Sequence, residues 1–254
     1  MIEFDKVTRS YGDKVAVNEL TLQIHPGEVF SLLGHNGAGK TTSIKMLVGL
    51  LRPSSGTVRV CNYDVSQTPC EAAQRLGYVP DQPYLYGKLS GREFLRFVGQ
   101  MHGLPHELLE QRIEQQIEQF GLQAFIEELT ESYSHGMKQR TVFASALLHA
   151  PEVLVVDEPM VGLDPQSIRL VKDLLRREAD RGMCVLMSTH TLSAAEEISD
   201  RIGVMNHSRL VYSGSVSTLR EKHPTETSSE EGASLEALYL SLLGPKSQDS
   251  LADN

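Results

Sequence analysis

The sequence has no tryptophan, and aromatic residues make up only 6% of it. Its three cysteines, Cys61, Cys70 and Cys184, form no CxxC pair and are too few for a disulfide framework. They read as small hydrophobes in a reducing compartment. No apolar run approaches the roughly 18 to 20 residues needed to span a bilayer. The longest, such as Val153-Leu154-Val155-Val156, are strand-sized. The beginning, Met1-Ile2-Glu3-Phe4-Asp5-Lys6, is acidic and alternating, unlike a secretory signal. The nine histidines show no HExxH spacing, so no structural metal site is expected. A net charge of −9 leaves little basic surface for neutralising phosphates, which argues against non-specific nucleic-acid binding. These absences place the chain in the cytosol, with any membrane role coming through a partner.

What is present is ordinary for a globular protein: 40% hydrophobic and 22% charged residues over 254 positions. That length suits one large domain or two intimate ones. Ile2, Phe4 and Val7 pattern one strand, and Leu20, Leu22 and Ile24 alternate with period two before the punctuation His25-Pro26-Gly27-Glu28. Val29-Phe30-Ser31-Leu32-Leu33 is nearly continuous apolar, as a buried parallel strand should be. A glycine-rich loop follows, then a helical stretch from about Lys40 to Leu51, stopped by Pro53 and Ser54-Ser55-Gly56.

From about Lys88 to Ala150 the periodicity is helical, with Phe94, Leu95, Phe97 and Val98, then Ile113, Ile117 and Phe120. Strands return at Val153–Val156 and Cys184–Met187, with a helix between them and another after His190. The pattern predicts an α/β fold: a parallel sheet with helices packed on it, antiparallel strands at the N-terminus and an inserted helical subdomain. The domain spans residues 1–222, with the subdomain at about 88–150. Residues 223–254 read as a polar linker, a short helix from Ser234 to Leu243 carrying Leu235, Leu238 and Leu242, and a disordered tail.

Gly34-His35-Asn36-Gly37-Ala38-Gly39-Lys40-Thr41 matches G-x-x-x-x-G-K-[ST] in full, with Thr42 next on the helix. Glycines let the backbone curl so that successive N–H groups point at phosphate oxygens. The helix beginning near Lys40 adds the positive end of its dipole. Lys40 is expected to neutralise β- and γ-phosphates and Thr41 to ligate Mg²⁺. A strand before and a helix after supply the context of a P-loop, RecA-like NTPase core.

Val153 to Val156 then runs into Asp157-Glu158-Pro159, a buried strand ending in two acids. Alone, such a pair could simply cap a strand at the surface. Beside a phosphate loop, Asp157 is placed to hold Mg²⁺ through water, and Glu158 to orient or deprotonate the attacking water.

Several further segments carry a family resemblance. Tyr133-Ser134-His135-Gly136-Met137-Lys138-Gln139-Arg140 resembles the signature LSGGQ-x-QR of ATP-binding cassette (ABC) proteins, keeping its serine, second glycine and trailing Gln-Arg. Gly162-Leu163-Asp164-Pro165 resembles the D-loop, Ser188-Thr189-His190 the switch histidine, and Tyr11 stands where the family places an aromatic that stacks on adenine. The order matches from Ile2 to about Arg220.

The resemblance implies an ATPase with ATP and Mg²⁺ as cofactors. It also implies a homodimer, or pairing with a similar cassette, in which two ATP molecules lie between the phosphate loop of one subunit and Ser134 and Gly136 of the other. His190 would contact the γ-phosphate and Asp164 would bridge the subunits. A separate transmembrane permease subunit is implied, with this chain at the cytoplasmic face of the membrane.

Two motifs depart from the family pattern. His135 and Met137 stand where the signature has glycine and glutamine, which predicts slower hydrolysis. After Gly77-Tyr78-Val79-Pro80, Asp81 takes the usual Q-loop glutamine position and Gln82 follows it, so either is a candidate for the metal or the attacking water; Asp81 is the favoured substitute, because a carboxylate is a competent Mg²⁺ partner. These departures, with Gly87 to Leu95 and Ser234 to Leu240, look like the ABC-2 or export branch, including the Ecs type. The rival reading is a soluble ABC ATPase acting on the ribosome or nucleic acid. Such members carry two cassettes or long coiled coils, and this chain shows neither.

Overall fold

The computed structural model describes residues 1–222 and 235–243. In chain order the first part forms β1 (Ile2–Tyr11), β2 (Lys14–Ile24), β3 (Val29–Leu33), α1 (Lys40–Leu47), β4 (Ser55–Val60), β5 (Tyr63–Asp64), α2 (Pro69–Ala73) and β6 (Leu76–Val79). A helical stretch follows: α3 (Gly91–Met101), α4 (His106–Phe120), a 3-10 turn at Thr130–Ser132 and α5 (His135–Leu147). The chain then returns to alternation with β7 (Val153–Asp157), α6 (Pro165–Asp180), β8 (Cys184–Thr189), α7 (Leu192–Ile198), β9 (Arg201–Asn206), β10 (Arg209–Gly214) and α8 (Val216–Lys222). The last described element is α9 (Leu235–Leu243).

Two sheets organise these elements. The first, in the order β2-β1-β4-β5, is antiparallel, with Ile2 opposite Ile24 and Phe4 opposite Leu22. The second runs β10-β9-β3-β8-β7-β6 and is parallel except at β10, which pairs antiparallel with β9. Its central strands explain the continuous apolar runs, because both faces are covered. Along β7, Val153 and Val155 face a core shared with the antiparallel sheet and α1. Leu154 and Val156 face the opposite core, shared with α3 to α6. A third, smaller core joins Leu33, Ala195, Ile202, Val204 and Leu219 to Leu235 and Leu238 of α9.

Three details differ from the sequence reading. The helix after the glycine loop stops at Leu47 rather than Leu51, because Gly49 takes a left-handed conformation (φ 79°) that ends the turn. The strand expected at Cys184–Met187 continues through Ser188, opposite Asp157 of β7, and Thr189, opposite Leu33 of β3. The three cysteines, read as small hydrophobes, differ in burial: Cys184 is buried, Cys61 is half-buried against the core, and Cys70 is exposed at the start of α2, where that reading does not hold. The short helix expected from Ser234 is present as α9. The linker and tail expected on either side of it lie outside the described residues. Among the described residues no helix is long and apolar enough to cross a membrane.

Candidate active site

The site forms where β3, β7 and β8 end side by side. From β3 the chain enters the glycine loop and then α1. Gly34 passes so close to β9 that a β-carbon there would lie 2.8 Å from the Met205 carbonyl oxygen. Gly39, the residue before α1, has φ 112°, and its β-carbon would lie 2.6 Å from the Ala16 carbonyl oxygen. Only glycine satisfies both demands. His35, Asn36 and Gly37 are exposed at the loop's outer rim, Ala38 is buried, and Thr41 and Thr42 are half-buried on the first turn of α1.

Lys40 is only 5% exposed, so its ammonium needs partners. It donates to the Gly34 carbonyl at 2.7 Å and lies 3.4 Å from Glu158 Oε1. The other carboxylate oxygen of Glu158 accepts from the His190 backbone N–H at 3.3 Å and lies 2.9 Å from His190 Nδ1. Lys40, Glu158 and His190 therefore form one connected polar line across the end of the sheet. Glu158 reaches this position with a left-handed backbone, φ 49°, at a cost of roughly 1 kcal/mol or more for a non-glycine residue. Its N–H donates to the Ser188 carbonyl at 3.1 Å and to the Ser188 hydroxyl at 3.0 Å, which holds the strained turn.

Asp157 is fully buried. The Ser188 hydroxyl donates to its Oδ1, and the Thr41 hydroxyl is a second hydrogen-bonding neighbour. Burial pushes its carboxyl above the usual range, the charges of Asp81 and Glu158 add to that push, and the hydrogen bonds from Ser188 and Thr41 oppose it. Oδ2 has no hydrogen-bond partner among the described residues. A buried carboxylate oxygen left open beside a threonine hydroxyl fits a hydrated divalent cation, the group that would satisfy it.

Asp81 and Gln82 are both exposed beyond the end of β6. Asp81 is near enough for its charge to raise both the Asp157 carboxyl and the Tyr78 hydroxyl, the latter already raised chiefly by burial. Tyr11, at the end of β1, is 48% exposed with the Arg9 guanidinium 4.7 Å from its ring centroid. Its hairpin partner β2 carries the Ala16 carbonyl that abuts Gly39.

Ser134 and Gly136 stand apart from this cluster, at the start of α5. Ser134 is exposed and accepts from the Met137 N–H at 3.3 Å, and Gly136 has open space around it. Asp164 caps α6, accepting from the N–H groups of Gln166 and Ser167 at 3.0 Å and from the Ser167 hydroxyl at 2.6 Å. These hydrogen bonds, that from the Ser167 hydroxyl first, hold its carboxyl below the usual range.

Sequence reasoning named Ser188 only as part of the segment that leads to His190 and gave it no role of its own. It contacts Asp157 and the Glu158 backbone at once, because β7 and β8 pair Asp157 with Ser188. The available signal was a hydroxyl near the end of the strand that leads to His190.

A buried lysine and helix start on a glycine loop, facing a buried aspartate and an outward-turned glutamate, define a P-loop NTPase. The chain belongs to the ABC transporter family, whose model matches residues 17–161. It is similar to the linearmycin resistance ATP-binding protein LnrL of Bacillus subtilis (strain 168), with 35% identity over 86% of this chain and 70% of that protein. It is 38% identical to the Nod factor export ATP-binding protein I of Paraburkholderia xenovorans (strain LB400), over 86% of this chain and 72% of that one. A solved structure described as the ATP-binding subunit of an ABC transporter superposes with a TM-score of 0.87 at 29% identity, covering 95% of this chain and 99% of that one. The chain is an ATP-binding subunit, and its hydrolysis of ATP is coupled to transport.

Proposed function

We propose that this chain powers export through a separate membrane permease at the cytoplasmic face, by closing head to tail with a second cassette over two Mg-ATP molecules. The observation that carries the reading is the Lys40–Glu158–His190 line beside the open oxygen of Asp157. Triphosphate entering the glycine loop offers Lys40 a stronger anion than Glu158, so the lysine exchanges partners. Glu158, released from Lys40, orients the attacking water and accepts its proton on Oε1 or Oε2. His190, released in the same exchange, donates to a γ-phosphate oxygen. The Thr41 hydroxyl and Asp157 would hold Mg²⁺; Asp81, whose charge bears on the Asp157 carboxyl, and Gln82 beside it are the two Q-loop candidates. When bound, the cation neutralises phosphate charge.

The remaining residues act between subunits. The Ser134 hydroxyl and the Gly136 N–H, at the free start of a 13-residue helix, form a second anion cradle for the γ-phosphate bound by the partner. Tyr11 stacks on adenine through the ring face not occupied by Arg9. Closure lasts while the γ-phosphate spans the interface and ends when hydrolysis removes it. Export as the direction is supported by the printed roles of the relatives, Nod factor export and linearmycin resistance. A permease partner is supported by an exposed aromatic surface after Asp81, where Tyr86 meets Tyr84 edge-on at 5.8 Å and Phe97 at 5.4 Å.

The test is Glu158→Gln, purified from detergent-solubilised membranes in ATP. ATP binding should persist while turnover falls about 10²- to 10⁴-fold, the usual worth of a general base. A polytopic membrane protein should co-purify. Recovery of ribosomes or nucleic acid instead would favour the soluble ABC reading and remove the transport claim.

A further inference from the structure

Pro159, the residue after Glu158, has no backbone N–H, so its carbonyl is the only main-chain group through which it can be held by a hydrogen bond. The residue is buried, and a buried carbonyl needs a donor. The backbone bonds of the turn pass it by: Val161 N–H donates to the Glu158 carbonyl at 3.3 Å and Leu163 N–H to the Met160 carbonyl at 3.4 Å. The donor to Pro159 is the side-chain amide nitrogen of Gln139, on α5.

Gln139 is only 6% exposed, and its Oε1 has no hydrogen-bond partner among the described residues. Burying an amide with its oxygen unpaired is unfavourable, and an apolar side chain of similar length would fill the space without that penalty. Packing alone therefore does not account for a glutamine here. What the amide does provide is a tether on the turn after Glu158. On the other flank, the Glu158 N–H is fixed by the Ser188 carbonyl and hydroxyl. Glu158 itself holds a left-handed backbone, φ 49°, which persists only while its surroundings enforce it. The second anchor comes from the helix whose start carries Ser134 as its cap and Gly136 in its first turn.

We propose that Gln139 is a positioning residue for Glu158. Its amide fixes the turn beyond the general base and links that turn to the helix that offers Ser134 and Gly136 to a partner's nucleotide. A shift of α5 on closure is thereby passed to Glu158 of the same chain.

The proposal rests on the reading of Glu158 as general base, and a double-mutant cycle in the full chain separates the two. Gln139→Met keeps an unbranched side chain and removes the donor. Its kcat at saturating ATP should fall about tenfold, the effect of losing one hydrogen bond that holds the base in place. The Kd of a fluorescent ATP analogue should stay within about twofold. Added to Glu158→Gln, the same change should lower single-turnover hydrolysis by less than about twofold, because its target is already gone.

An unchanged kcat in Gln139→Met would overturn the proposal, as would a loss confined to ATP affinity. An equal tenfold loss in both backgrounds would also overturn it, since Gln139 would then act by a route other than Glu158. Should Gln139→Met fail to fold, Gln139→Asn decides: it keeps the amide on a side chain one carbon shorter, and a kcat equal to that of the unaltered protein rejects the tether. If Glu158→Gln alone retains full turnover, the general-base reading falls and this proposal falls with it. If that variant loses turnover while Gln139→Met does not, the positioning role falls alone.

Discussion

Glu158 and Asp157 are adjacent in sequence yet live in opposite surroundings. One is turned outward on a left-handed backbone and held between Lys40 and His190; the other is sealed beneath Ser188 and Thr41. Asp81 belongs with the buried acid, since its charge acts on Asp157. Asp81→Ala should therefore lower kcat about 10-fold or more and weaken the Mg²⁺ dependence, while Gln82→Ala changes either little. A magnesium titration of ATPase activity in both variants decides; loss in Gln82→Ala alone reverses the assignment. His135 is the other residue-scale departure. Its ring lies 3.5 Å from where a Gly162 β-carbon would stand, so it faces the loop that carries Asp164. A glycine at 135 frees both segments to meet a partner subunit, and steady-state ATPase of His135→Gly should exceed that of the unaltered protein by about two- to tenfold, an allowance on the order of 1 kcal/mol in the barrier. A rate no higher would count against His135 as a brake.

Between elements, the packing of α3 against α5 contains a histidine pair. His102, at the end of α3, stacks on His149, just past α5, with centroids 3.7 Å apart and planes 8° from parallel. Burial pushes His149 down to about 4 from 6.5, helped by the charges of His102 and Arg112 and opposed by a backbone contact at Leu76. Burial also lowers His102. The unfolded chain takes up a proton at His149 as pH falls through 6.5, while the folded chain resists until about 4. Stability present above pH 6.5 is therefore lost progressively down to about 4, by up to the order of 3 kcal/mol. Melting curves of His149→Phe, which keeps a stacking ring, should show a shallower fall between those limits; an identical pH slope would show that His149 does not titrate this way. The helices themselves were legible from Phe94, Leu95, Ile113 and Ile117. The histidine stack was not, because it joins the far ends of two helices that no local period relates.

At the scale of the molecule, the exposed aromatics after Asp81 form the surface on which the permease proposal can be tried. Tyr84 is 73% exposed and Met101 74%, beside Tyr86 and Phe97. Replacing both Tyr84 and Met101 by glutamate should abolish co-purification of a membrane partner while ATPase activity of the isolated chain stays within about twofold, since exposed substitutions far from a packed core change little. Retained partner binding would move the docking surface elsewhere. The chemistry of the nucleotide site was readable from local patterns alone: a glycine spacing that permits a phosphate loop, an apolar run that demands a covered strand, and two acids at its end. Those patterns are short-range because backbone conformation and hydrophobic period are properties of neighbouring residues. Tertiary structure alone decided that Ser188 would hold Asp157 and the Glu158 backbone at once, and that Leu235 and Leu238 would join the core beneath the glycine loop. Each of those pairings depends on strand order and on which core an amphipathic helix joins, and both are set by burying apolar surface across the whole chain.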